Sequence, residues 1–269
     1  MRLLLWLAVA ASSISACSQS PDPKDIVQWS VQAIKADWNL APDYSFEERD
    51  VESKHNAPPT VRTYHVLMIG GSPYNRLIAM DDRLLAAGDQ AEQEQKLRAE
   101  IRKRRRESGR DRAKRIAKYD KERRQDQAML MDMVDAFDFQ LAGQETVNGH
   151  DCWVLDAHPK RGYLPKNRET KVLAGMRGRL WIDKSQNQWV RVRAEVFKPV
   201  SFFGFVAKVG PGTRILLEQE PVADNLWLPK HFSMQVKAAA FGFLDESSTD
   251  DETYRNYKPL PKTSAELAK

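Results

Sequence analysis

The sequence predicts a mainly β fold with helices (α+β), an antiparallel sheet or barrel into which one long charged helical segment is inserted. Three observations carry this expectation. From Tyr44 onward, short β-rich runs are punctuated by turn residues. Residues 137–147 and 151–158 flank Asn148-Gly149, a pair that tolerates positive φ at both positions and so suits a type I′ hairpin turn. Residues 90–133 hold abundant Ala, Glu, Lys, Arg and Gln and no Pro, a helical composition.

The chain opens with a targeting segment. Met1-Arg2 supplies a short positive region and residues 3–11 an apolar one far too short to span a bilayer. Ile14-Ser15-Ala16-Cys17 then matches the bacterial lipobox, in which an aliphatic and two small residues precede a cysteine that becomes lipidated. Cleavage would remove residues 1–16 and leave the lipid on Cys17. The alternative is export without a lipid, by ordinary cleavage at the same bond, and Ile14 fits the small-residue rule for that cleavage poorly. Residues 17–26, polar and Pro-containing at their start, read as a tether. The only other cysteine is Cys152. Flanked by Asp151 and Trp153 in a strand-like run, it reads as a small buried apolar residue and not as a nucleophile.

About 250 residues remain after cleavage, enough for one large β domain or two small ones. Seven Trp and ten Phe supply bulky apolar surface for a core, which excludes wholesale disorder. The net charge of +5 comes from one place. Residues 96–124 contain fifteen Lys/Arg and five Asp/Glu, an excess of ten, so the rest of the chain sums to minus five. Such clustering is the footprint of phosphate binding, but an exported chain meets little nucleic acid, and the segment lacks interleaved aromatics for stacking on single strands. The remaining readings are a solvated helix and a weak contact to anionic headgroups or an acidic partner through Lys103, Arg104, Arg105 and Arg106.

The strands follow in order. Residues 61–69 and 74–80 flank Gly70-Gly71-Ser72-Pro73 as a first hairpin. The helical segment comes next, with an interruption expected at Ser108-Gly109 and apolar residues gathered only near its end, from Met129 to Val134. The Asn148-Gly149 hairpin is second. A third pairs residues 178–184 with 189–197, where Val190, Val192, Ala194 and Val196 alternate with Arg191, Arg193 and Glu195, giving one buried and one wet face. Residues 202–209, 213–220, 226–238 and 252–258 continue the meander, and in the longest of these Leu226, Leu228, Phe232, Met234 and Val236 share one face.

Four stretches carry a family resemblance: Ala136-Phe137-Asp138-Phe139, Val147 to Leu155 with His158-Pro159-Lys160 after it, Gly178-Arg179-Leu180-Trp181-Ile182-Asp183, and Asn225-Leu226-Trp227-Leu228-Pro229. In order, over roughly residues 44–258, they resemble the LolA/LolB-like group of outer-membrane lipoprotein-sorting and lipid-carrier proteins. The resemblance implies an unclosed antiparallel β-barrel around an apolar cavity, capped by helices, that shields acyl chains in the periplasm. It also implies a single domain over residues 27–258, with 259–269 as a flexible tail, and a lipid-anchored protein at the periplasmic face of the outer membrane. The basic segment is longer and more charged than the lid helices of that group.

No catalytic chemistry is expected. Gly70-Gly71-Ser72-Pro73-Tyr74 lacks the final Gly of a nucleophile elbow, and no metalloprotease, phosphate-loop or dinucleotide-binding pattern occurs. His150 and Cys152 sit two apart, which is too few ligands for a metal site, and no cofactor is expected. The favoured reading is a carrier that takes a lipid or the acyl chains of a lipoprotein, held by burial of methylenes at about 0.8 kcal/mol each. The candidate lining is Tyr64, Val66, Met68, Leu180, Ile182, Val190, Val192, Val196, Leu226, Leu228, Phe232 and Met234. The alternative is a non-catalytic sensor or scaffold that binds an envelope protein partner; a core filled by side chains would favour it over the carrier.

Overall fold

Asp22 caps and Pro23 opens helix α1 (Pro23–Leu40), Pro being at home in a first turn whose N–H groups have no helical partner. The structure, a computed structural model, describes residues 20–54, 57–167, 169–201, 207–240, 244–245 and 247–260. The signal segment, Cys17 and most of the expected tail therefore lie outside the described residues. The expected tether does not reach residue 26: Ile26 is fully buried in the second turn of α1. On α1, Ile26, Val27, Ser30, Val31, Ile34 and Asp37 form one buried stripe at helical spacing.

Strand β1 (Tyr44–Lys54) precedes the first hairpin, β2 (Thr60–Ile69) and β3 (Ser72–Met80), which is followed by the short β4 (Arg83–Leu84). Next come α2 (Ala87–Arg106) and α3 (Gly109–Ala136), broken at the expected place. Glu107 ends the first helix and Ser108 caps the second, its Oγ accepting from Asp111 N at 3.1 Å. The second hairpin is β5 (Phe137–Val147) and β6 (His150–Pro159), with Asn148 and Gly149 at φ 52° and 85° as the type I′ turn requires. Then come β7 (Met176–Asp183), β8 (Trp189–Val196), β9 (Val200–Ser201), β10 (Ala207–Val209), β11 (Arg214–Ala223), β12 (Leu226–Val236), β13 (Ala238–Ala240), β14 (Leu244–Asp245) and β15 (Ser248–Pro259). The single strand expected over 202–209 is replaced by β9 and β10, and residues 202–206 lie outside the described ones.

Among the described residues, eleven strands form one antiparallel sheet in the order β4-β3-β2-β1-β15-β12-β11-β8-β7-β6-β5, and four short ones form a second, β14-β13-β10-β9. The large sheet ends on β4 and β5, which do not pair with each other, so the barrel is unclosed. The helices α2 and α3 are the covalent link between those two ends.

The main core lies where α1 meets β5–β8. Ile26, Val27, Val31 and Ile34 pack with Phe137, Leu155, Leu180, Ile182, Val192 and Val196, and the end of α3 joins them through Leu130, Met133 and Ala136. Each fully buried aliphatic side chain contributes about 1.5–3 kcal/mol. One polar contact fixes the helix on this surface: Trp189 Nε1 donates to Ser30 Oγ at 3.0 Å, in a buried setting. On the opposite face a smaller cluster joins Val147, Cys152, Val154, Trp181, Val190 and Trp227.

Candidate functional site

The twelve residues expected to line a cavity divide into three groups. Leu180, Ile182, Val192 and Val196 do point toward the inner side of the sheet, but α1 already covers them and they are nearly or fully buried. Tyr64, Val66, Met68, Phe232 and Met234 face the same side on β2 and β12, and all but the buried Val66 are half-buried.

The third group corrects the alternation read from sequence. Val190 faces the opposite cluster. Opposite Trp181-Ile182, the register passes from Arg191 to Trp189, so one extra residue turns Val190 outward and brings Trp189 inward beside Ser30. Leu226 and Leu228 are buried, and an inserted residue separates them from Phe232 and Met234. Glu218 pairs with His231 and Gln219 with Pro229, so Lys230 is an inserted residue that breaks the period-2 pattern.

The other half of the inner side is different. Register places Glu48 beside Tyr64 and Tyr254, Asp50 beside Arg62 and Glu252, and Glu52 beside Asp250, with Phe232 and Met234 next to Glu252 and Asp250. The result is a half-buried basin of carboxylates and aromatic rings. Phe46 meets Tyr254 and Tyr257 at ring-centroid distances of 5.9 and 5.3 Å. Partial burial, reinforced by the charges of Glu252 and Asp50, pushes the Glu48 carboxyl up to about 7. Burial and neighbouring carboxylates also raise Asp50. Glu252 is raised by burial, although the Tyr254 hydroxyl donates to it. The sequence reading missed this basin. The signal for it was the alternation of Glu48, Asp50 and Glu52 and the acidic run at 250–252, which only the β1–β15 pairing joins.

The basic segment proves to be tied down at both ends. Arg104 is nearly buried; it pairs with Glu100 at 2.7 Å and donates to the carbonyls of Ile69, Ser72 and Pro73. Arg115 pairs with Glu107 and donates to Ser72 Oγ and Gly70 O. Together they clamp the β2–β3 turn, whose Gly70 and Gly71 sit at positive φ, with Ile116 packed against Gly71. Toward the other end, Arg123 lies over Trp38 of α1 and donates to its carbonyl. The expectation that Arg104 meets a membrane or partner is therefore corrected: its donors are consumed inside the fold. Lys103 and Arg106 are exposed, Lys103 with a loose pair to Glu100 at 3.3 Å, and Arg105 is also on the surface.

Cys152 is fully buried, its Sγ 3.3 Å from His150 O, and burial pushes the thiol up to about 11. His150 stacks edge-on against Trp227 and lies 3.5 Å from Asp183. Among the described residues no group of three metal-ligating side chains is found, and no helix is long and apolar enough to cross a membrane.

No known protein family matches the sequence, and no curated protein does. Among solved structures, the chain is similar to a DUF1329 family protein from Desulfovibrio piger, at 15% identity and a TM-score of 0.37 over 90% of this chain and 97% of that one. It is similar to a domain described as an outer membrane lipoprotein-sorting protein from Vibrio parahaemolyticus, at 10% identity and a TM-score of 0.36 over 90% and 100% of the two chains. A LolA superfamily protein from Nitrosomonas europaea is similar at 10% identity and a TM-score of 0.35, over 93% of this chain and 98% of that one.

Proposed function

We propose that this protein is a lipid-anchored, non-catalytic binding module of the cell envelope whose half-barrel is filled by its own first helix, and that it engages an envelope protein through the half-buried basin on β1, β2, β12 and β15. One observation carries the choice between module and carrier: Ile26, Val27, Val31 and Ile34 occupy the apolar half of the inner side, where an acyl chain would have to lie. Among the described residues, the other half of the inner side is acidic and aromatic, a surface suited to a basic segment with apolar side chains of its own. The anchor is the lipid expected on Cys17.

Two measurements test the reading. Protein extracted from its own membranes should show, by native mass spectrometry, no lipid beyond the covalent anchor; a stoichiometric bound lipid would restore the carrier. A photocrosslinking residue at Tyr64 should capture one protein in intact cells, and Asp50→Lys with Glu252→Lys should abolish that capture without unfolding the domain. Capture indifferent to those charge reversals would place the partner elsewhere.

A further inference from the structure

The side of the sheet away from α1 carries a second surface that the proposed function does not use. Two neighbouring rungs cross the strands β6, β7, β8, β11 and β12. One runs Asp156, Arg179, Arg193, Leu216, Ser233. The other runs Arg177, Glu195, Arg214, Gln235. They line an open trough of about 540 Å³, with His158 at its end. That volume lies within the range of small-ligand sites, about 300–1,000 Å³.

The charges in the trough do not balance. Asp156 forks onto Arg179 at 2.7 and 3.0 Å, and Glu195 holds Arg177 at 3.1 Å. Arg193 has no carboxylate among the described residues and rests over the Trp181 ring, 5.5 Å from its centroid. Arg214 pairs in register with Glu195, whose carboxylate is already on Arg177. Arg179 and Arg193 are directly opposed across an antiparallel pair, an arrangement of like charges that costs stability unless an anion lies between them.

The chemistry narrows the occupant. Every cation lining the trough apart from His158 is a guanidinium, whose planar fork matches phosphate or carboxylate oxygens in pairs. All five strands are paired on both sides, so no free edge offers β-augmentation. The only large aliphatic side chain that the two rungs present is Leu216, too little for a helix-in-groove contact. We propose that this trough is an anion site for a compact ligand bearing phosphate-type groups, with Arg193 and Arg214 as its primary contacts and the braced Arg177 and Arg179 flanking them. The same chemistry is offered by a lipid headgroup and by a soluble phosphate ester. The trough lies on the face opposite the basin, so its failure would leave the binding module untouched.

The test uses the full mature chain and inorganic pyrophosphate as probe, followed by calorimetry. Pyrophosphate should bind, more weakly at higher salt, and Arg193→Ser with Arg214→Ser should weaken it about tenfold or more, as loss of charge-assisted bonds demands. Lys96→Ser with Lys118→Ser, which removes as much charge elsewhere, should not. Vesicles of phosphatidylcholine with and without phosphatidic acid separate the sources: binding that needs phosphatidic acid and is competed by pyrophosphate assigns the site to a headgroup, and pyrophosphate binding without it assigns a soluble ligand. No pyrophosphate binding, equal loss in the control variant, or tighter binding of an acidic peptide through the same arginines overturns the proposal.

Discussion

Glu48 offers the sharpest test of the basin's electrostatics. Its carboxyl is carried from an ordinary 4.5 to about 7, first by burial and then by Glu252 and Asp50. Between those two values the folded chain holds more protons at this site than the unfolded chain, so stability falls as pH rises through the window and the loss is complete above about 7. At 1.36 kcal/mol per tenfold change the full effect is on the order of 3 kcal/mol, and partial solvation and sharing of protons with Asp50 and Glu252 reduce it toward 1. Glu48→Gln keeps the shape and removes the charge. It should stabilise the protein by about 1–3 kcal/mol at pH 8, a rise in Tm of roughly 2–4 °C for each kcal/mol at this chain length, and change nothing at pH 4. Urea titrations of both proteins at pH 4, 5, 6, 7 and 8 give the two profiles directly. Parallel profiles would refute the reasoning, because they would mean that Glu48 titrates alike in folded and unfolded chains.

Three further outcomes are expected. Val192→Asp should unfold the domain or cost more than about 3 kcal/mol by urea denaturation, since it buries a carboxylate under α1, while Arg193→Ser should stay close to wild type in the absence of ligand. Arg104→Ser should cost about 2–4 kcal/mol and speed amide exchange at the β2–β3 turn, because it leaves Glu100 with only the loose Lys103 pair and takes a donor from three carbonyls; Lys103→Ser should leave both unchanged. Cys17→Ala should block lipid labelling and release any processed protein from the membrane fraction, and labelling that persists would exclude the anchor.

The parts of this fold written in local chemistry were legible before the structure. Asn148-Gly149 announced its hairpin, Ser108-Gly109 the break between α2 and α3, and Gly70-Gly71 the first turn. The inward placement of Val192 and the outward one of Arg193 followed from alternation. Alternation was interrupted where β8 and β12 gained a residue, at Val190 and at Lys230, because a bulge is decided by the partner strand and not by the strand that carries it. The first helix was missed for another reason. Ile26, Val27, Val31 and Ile34 have a clear helical period, but Pro21 and Pro23 suggested a tether, although Pro at the first helical position is itself a start signal. Arg104 and Arg115 looked like solvated charge because nothing in the run Arg102 to Arg106 distinguishes the one guanidinium that reaches the turn carbonyls. The acidic basin and the arginine trough each draw on strands far apart in the chain, and only register assembles them.

The way α3 bridges the sheet has a mechanical consequence. From Ile116, seated on the β2–β3 turn, to Ala136, where the helix runs straight into β5, it is an unbroken rod of about 30 Å at 1.5 Å per residue. A rod fixed at both ends is a spreader: it sets the gap between one side of the sheet and the other, and with it the curvature of every strand between. The sheet cannot roll shut into a complete barrel without buckling that helix, nor flatten without tearing Arg104 and Arg115 from their carbonyls. Removing two turns from the exposed middle of α3 should therefore draw the two margins together and narrow the basin on the far side, a change of shape made without touching a residue that lines it.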